Sequence, residues 1–262
     1  MMKRGKVLLS FDIEEFDLPR EKGEAISLDE GIKVSSDGAE RILKILEENE
    51  IKATFFITGN FAKKRPELVI KMREAGHEIA CHGVDHFNPK SSDVKESKRI
   101  VEEVAGVNVT GYRQPRMFPI DYKDLAKCGY KYDSSVNPAF IPGRYNHLNT
   151  PRTPFKREDI LEIPTSVATI IRVPLFWLTL HLFPVSLYVK MAKMSIRKTG
   201  YFATYFHPWE FAPELKKYKV VPEYIKQNSG DMLVGRLDRV IRELSGYEFV
   251  TYEEYRAELD KE

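Results

Sequence analysis

Residues 79–88 read IACHGVDHFN. A short apolar run ends abruptly in polar groups, and two of these, His82 and His86, stand four positions apart. Groups four apart on one turn face the same way, so both imidazoles can aim at a single metal ion. Two ligands do not complete a site, so the question becomes whether other strand ends supply a third.

Working outward, strand-like and helix-like segments alternate along the chain. Upstream, Lys6–Phe11 is an apolar run that ends in charge, and Asp37 is expected to cap a helix with Ile42, Leu43 and Leu46 on one face. ATFFIT (residues 53–58) is rich in β-formers, and a helix starting near Pro66 should end at Gly76, before a strand at His77–Cys81. Downstream, Asp93 is expected to cap a helix running through Ile100 and Val104, followed by VTGYRQP. A helix over Asp121–Lys127 closes at Gly129, and YKYDSS is extended. ILEIP and YFATYF read as strands, Leu237–Leu244 as a helix, and YEFVTY as the last strand before a polar helical tail. About eight strands with helices between several of them favour a βα-repeating barrel or open sheet over a bundle. With no internal repeat or long linker, residues 1–262 read as one domain.

In a parallel βα-barrel, functional groups collect at the C-terminal ends of the strands. Asp12 and Glu14 follow the first run, and His82 and His86 the third. Arg113 ends the fourth, Asp133 the fifth and His207 the seventh. Charge delivered to one rim by five separate strand ends is hard to explain as solvation alone.

The composition narrows the class. At 42% hydrophobic and 31% charged residues, the chain is an ordinary globular protein. Its 41 basic and 39 acidic residues leave a net charge of +2, which gives no reason to expect nucleic acid. Cys81 and Cys128 suggest no disulfide framework, and a reducing compartment is the simpler reading. A secretory signal needs roughly 7–15 uninterrupted apolar residues. Here Val7–Leu9 is stopped by Ser10 and Asp12, so a buried strand and a cytoplasmic location are expected.

Val173–Met194 is the most apolar stretch, but Pro174, His181, Pro184, Lys190 and Lys193 interrupt it. A membrane-spanning helix needs about 20 predominantly apolar residues. The segment around 173–196 is therefore read as an apolar insertion packed on the domain. The other reading is a surface that meets a membrane or a lipid-linked substrate.

SFDIEE, TFFITGNFA, GHEIACHGVDH, YRQP, YDSS and YFHPWE occur in an order and spacing that resembles the polysaccharide deacetylase family, the group with a NodB-homology domain. The resemblance covers about residues 5 to 210. It implies a distorted (β/α) barrel and metal-assisted hydrolysis of an N-acetyl group on a sugar, with acetate and a free amine as products. The family's first motif usually has two adjacent acids. Here D-I-E makes Asp12 the match for the base, and the ligand role passes to Glu14, which shares its face of the strand. With His82 and His86, Glu14 would form a two-histidine, one-carboxylate set suited to a divalent metal, zinc first. Gly83 stands where a hydroxyl residue is usual and lets the turn tighten.

By the same resemblance, Arg113 steadies Asp12, and a backbone N–H near Arg116–Met117 receives the oxyanion. Arg116 replaces a frequent aromatic residue. Asp133 would pair with His207, holding it charged so that it donates a proton to the leaving amine. His77 reads as structural, Trp209 as lining or covering the pocket, and His147 and His181 fall in no motif and receive no role. The expected partner is an N-acetylated amino sugar, as polysaccharide, oligosaccharide or lipid- or nucleotide-linked glycan. Same-fold hydrolysis of a cyclic amide or ureide, and a non-catalytic carbohydrate-binding protein, are the alternatives. Oligomeric state is not legible.

Overall fold

The computed structural model describes residues 5–141 and 145–261. In chain order the strands are β1 (Lys6–Ile13), β2 (Thr54–Ile57), β3 (Glu78–Cys81), β4 (Gly111–Tyr112), β5 (Tyr132–Asp133), β6 (Phe140–Ile141), β7 (Tyr145–Asn146), β8 (Phe155–Arg157), β9 (Ile160–Glu162), β10 (Tyr201–Phe206) and β11 (Glu248–Phe249). The α-helices are α1 (Leu18–Glu21), α2 (Leu28–Glu48), α3 (Gly59–Lys64), α4 (Pro66–Glu74), α5 (Asp93–Ala105), α6 (Tyr122–Lys127), α7 (Trp177–Leu182), α8 (Val185–Thr199), α9 (Glu223–Lys226), α10 (Asp231–Leu244) and α11 (Tyr252–Leu259).

The main sheet runs β10-β1-β2-β3-β4-β5-β9-β8, with β11 paired to the start of β1. All its pairings are parallel except β8 with β9. Among the described residues nothing joins β8 to β10, so the sheet is a curled, unclosed barrel, the distorted (β/α) form expected.

The pleat of β1 explains how the sheet builds a site. Val7, Leu9, Phe11 and Ile13 enter the larger core cluster with α2 residues such as Ile42 and Leu46, outside the curl. Leu8 points inward, packed with Phe56, Ala80, Tyr132 and Tyr252. Ser10 and Asp12 continue on that inner face, and both bond Arg113 from β4's end. Apolar layers close the bottom of the curl and polar groups occupy its top.

Two expected caps are corrected. Helix α2 begins well before Asp37, because Ser27 caps it by accepting from Glu30 N at 3.1 Å and its buried face already includes Ile32 and Val34. Asp93 lies inside α5 and accepts from Lys90 N at 2.8 Å, closing the preceding turn. The apolar insertion forms α7 and α8, broken at Pro184, with Val185, Tyr188, Val189, Ala192 and Ile196 buried against the domain. Among the described residues no helix is long and apolar enough to cross a membrane.

Candidate metal centre and active site

Just past the end of β1, Glu14 turns into the top of the curl and is 2% exposed. Its carboxylate and the ring nitrogens of His82 and His86 offer ligand atoms all within 4.8 Å of one another. His82 Nε2 stands 3.4 Å and His86 Nε2 3.0 Å from the same oxygen, Glu14 Oε2. The opposite ring nitrogens are held: His82 Nδ1 by the Arg113 carbonyl at 2.8 Å, His86 Nδ1 by Asp17 Oδ2 at 2.8 Å. Both anchors only accept, so each Nδ1 carries a proton and each Nε2 faces the carboxylate.

Burial opposes charge on Glu14, yet His86, His207 and His82 around it outweigh burial and hold its pKa at about 2. Burial also opposes charge on His86, but Glu14 and Asp17 push its pKa up to about 9. Trp209 Nε1 donates to Glu14 Oε1 at 3.1 Å, whereas the buried Oε2 has no hydrogen-bond partner among the described residues. An orphaned carboxylate oxygen facing two oriented imidazoles fits a divalent cation, which satisfies all three at once. Asp12 is not in this group.

Asp12 is instead bound to Arg113, which is wholly buried. Arg113 Nη1 donates to Asp12 Oδ1 at 2.5 Å and to Ser10 Oγ at 3.0 Å. Nη2 donates to Ser134 Oγ and Tyr252 OH, each at 3.1 Å, and Nε to the Ser134 carbonyl at 3.0 Å. All five guanidinium donors are used, which fixes both the charge and the carboxylate it meets. Glu15 plays a structural part, accepting from Thr58 Oγ1 at 2.6 Å and Asn60 Nδ2 at 2.8 Å and so tying the first loop to the end of β2.

The expected Asp133–His207 pair is corrected. His207 Nδ1 bonds Glu210 Oε1 at 2.8 Å, and the His207 backbone N–H donates to the same oxygen at 2.7 Å. Asp133 faces away from this contact and accepts from Ser135 N and Oγ at 3.1 and 2.7 Å. It is also hydrogen-bonded to the buried Glu162. Burial raises both carboxyls, and the neighbouring Asp133 raises Glu162 further. Glu210 sits three residues on from His207, within reach only because Pro208–Phe211 is a 3-10 turn. Its signal lay in the final residue of YFHPWE, three positions after the histidine.

Arg116 does not reach into the pocket. Arg116 and Met117 take φ of +59° and +52°, and the Arg116 side chain folds back over the first loop. It donates to the His86 carbonyl at 3.0 Å and to Asp17 Oδ2 at 3.1 Å, and pairs with Glu21. The arginine thus clamps the loop that carries His86. Met117 N is spent on the Gln114 carbonyl at 3.0 Å, which leaves the Arg116 amide as the local candidate for an oxyanion contact. Gly83 has φ of +67°, and a Cβ there would lie 2.8 Å from Pro115 Cγ, so the tight turn between the two histidines requires glycine.

His207 Nε2 lies 4.0 Å from Glu14 Oε1. Its ring stacks on Trp209 with centroids 5.0 Å apart, and Trp177 from α7 meets both rings edge-on at 5.4 and 5.6 Å. Burial disfavours the charged form of His207, but Glu14, Glu210 and Asp12 prevail and raise its pKa. His77 behaves as the structural residue expected: its Nδ1 accepts from Ala53 N at 3.3 Å, away from the cluster.

Residues 17–132 match the family model described as polysaccharide deacetylase, and residues 134–257 match a domain of unknown function, DUF3473. Asp12 and Glu14 precede the first match, and His207 and Glu210 lie in the second. A peptidoglycan deacetylase of Helicobacter pylori is 30% identical over 115 residues, 40% of this chain and 39% of that protein. The chain spans 29–41% of the length of the first curated relatives it matches. A solved structure from Mycobacterium smegmatis, described as a putative polysaccharide deacetylase, superimposes with a TM-score of 0.67 at 18% identity, covering 100% of this chain and 92% of that one. The Puue allantoinase superimposes with a TM-score of 0.65 at 16% identity, covering 96% and 89%. Both are likenesses of fold.

Proposed function

Given a polysaccharide deacetylase domain in residues 17–132, we propose that this chain is a metal-dependent hydrolase that removes the acetyl group from an N-acetylated amino sugar. The observation that carries the reading is the convergence of Glu14, His82 and His86 within 4.8 Å, with the Arg113-bound Asp12 beside them. A carbohydrate-binding protein has no need of an oriented ligand set together with an acid and a base.

Glu14, His82 and His86 would hold the cation, with zinc the preferred ion for a mixed nitrogen and oxygen set. When bound, it supplies Lewis-acid polarisation of the acyl carbonyl. Asp12, kept anionic by Arg113, takes a proton from the attacking water. The amide N–H of Arg116 is the candidate donor to the tetrahedral oxyanion, a contact commonly worth about 3–4 kcal/mol. His207 Nε2–H, which lies 4.0 Å from Glu14 Oε1, gives its proton to the departing amine. Glu210 holds the other nitrogen of that ring and stabilises its charge. Trp177 and Trp209 cover the imidazole and limit water around it.

The relatives' names support sugar polymers as the first substrate class to test. The exposed Ile170, Ile171, Leu182 and Leu187 in and around the apolar insertion support a lipid-linked glycan as the specific form, met at a membrane surface. A cytoplasmic location remains part of the proposal and is read by cell fractionation. The deciding experiment assays acetate release from oligomeric, nucleotide-linked and lipid-linked N-acetylhexosamines by the zinc-loaded protein, with allantoin alongside. Acetate release lost in Glu14→Gln supports the reading. Ring opening without acetate release from any sugar replaces it with ureide hydrolysis, and sugar binding without turnover replaces it with a binding role.

A further inference from the structure

We propose that His181, from the insertion helix α7, is a positioning residue that acts on the proton donor His207 through Glu210. The inference rests on the deacetylase reading of the site above. His181 and Glu210 are both fully buried. Glu210 Oε1 takes the two bonds from His207, and Glu210 Oε2 lies 2.9 Å from His181 Nε2. One carboxylate is thus held between two imidazoles.

The protonation pattern follows from donor counting. Glu210 stays ionised, since the bonds from His181 and His207 overcome burial and lower its pKa. An ionised carboxylate only accepts, so the proton of the His181–Glu210 bond sits on Nε2, and Nδ1 faces away from Glu210. That Nδ1 is buried without a hydrogen-bond partner among the described residues. A phenylalanine would fill the same volume without an orphaned nitrogen, so packing alone gives no reason for imidazole here.

The surrounding structure grips the helix that delivers this ring. Asn228 Nδ2 donates to the His181 carbonyl at 2.7 Å, and Arg236 donates to the Leu180 carbonyl through Nε and Nη2 at 3.1 and 2.7 Å. Trp177, one turn earlier, meets the rings of His181 and His207 edge-on at 6.0 and 5.4 Å. With Oε2 tied to His181, the Glu210 carboxylate cannot rotate away from His207 Nδ1, and His207 Nε2 stays aimed at the site. The region matched only to a domain of unknown function thereby contributes to proton delivery.

The test uses the full chain and two substitutions, His181→Phe, which lacks a donor, and His181→Gln, whose amide can donate to Glu210. Two probes are used: tetrameric N-acetylglucosamine, whose amine leaving group needs a proton, and 4-nitrophenyl acetate, whose phenolate leaves without one. His181→Phe should lower kcat on the sugar about tenfold or more with KM changed less than about twofold, and leave ester hydrolysis within about twofold. His181→Gln should restore most of the sugar rate. Equal losses on both probes, or no loss on the sugar, would overturn the proposal.

Histidine 15N–1H spectra give a readout independent of turnover. They should show His181 as the Nε2–H tautomer in the unsubstituted chain, and the His207 Nδ1–H signal weakened in His181→Phe but kept in His181→Gln. A His181 Nδ1–H tautomer, or an unchanged His207 signal in His181→Phe, would overturn the proposal even where His181→Gln alone folds. An unsubstituted protein inactive on both probes would remove the deacetylase reading, and the spectra would still decide the link through Glu210.

Discussion

The indole of Trp209 donates to Glu14 Oε1 at 3.1 Å and leaves Oε2 to face His82 and His86. One aromatic side chain therefore selects which carboxylate oxygen is presented as a ligand. Trp209→Phe keeps the ring against His207 and removes the donor. Cation affinity, measured by competition with a chromophoric chelator, should fall about 10–100-fold. Unchanged affinity would show that the indole merely covers the site.

Cation binding should also register as stability. A ligand that binds only the folded state at a hundredfold excess over its Kd adds about 2.7 kcal/mol, which for a chain of this size raises Tm by about 5 °C or more. Zinc added to metal-free protein should give that shift, and a chelator should reverse it. The shift should vanish in Glu14→Gln, His82→Ala and His86→Ala.

Asp12→Asn separates the base from the ligands. Arg113 would be left wholly buried without its anion, which costs about 3–5 kcal/mol of stability. Acetate release should fall about 10²–10⁴-fold while zinc stoichiometry is retained. Loss of zinc in this variant would mean that Asp12 is itself a ligand.

Gly38 permits α2 to lie against the turn that carries His207. A Cβ at Gly38 would stand 1.8 Å from the Pro208 carbonyl oxygen, so the turn would have to move. Gly38→Ala should cost about 1–3 kcal/mol and depress activity by displacing His207. Gly235→Ala, at an exposed position of α10 with nothing within 4 Å of the new methyl, should instead gain about 0.5–1 kcal/mol. Denaturant melts of both variants decide the matter.

His77 should make stability fall in mild acid. Burial, with a smaller contribution from Lys52, lowers its pKa from 6.5 to about 4 in the folded chain. Below pH 6.5 the unfolded chain takes up this proton first, so stability is intact above about 6.5 and is lost as pH drops toward 4. Allowing for partial solvation, the loss is about 1–2 kcal/mol. Urea melts at pH 7.5, 5.5 and 4.5 should fall more steeply for the natural chain than for His77→Gln, which keeps an acceptor for Ala53 N. Parallel trends would refute the assignment.

The strand pattern, the curled βα architecture and the placement of Asp12, Glu14, His82, His86, Arg113 and His207 near one rim were legible in the residues. The reason is periodic: alternation along a strand decides which side chains share a face, and parallel strands deliver their ends to one side. The start of α2 was less legible, as Asp37 shows, because a capping residue in mid-sequence competes with an apolar face that reaches further upstream.

Only the tertiary structure decided the partners of those groups. His207 is held by Glu210 and not Asp133, Asp133 meets Glu162, Asp17 orients His86, and Arg116 clamps that loop rather than facing the pocket. His181, silent in every motif, reaches Glu210 from 29 residues away. Local periodicity determines the face on which a side chain stands. The atom it meets there depends on how separate strands and an inserted helix come together, and no spacing within one segment encodes that distance.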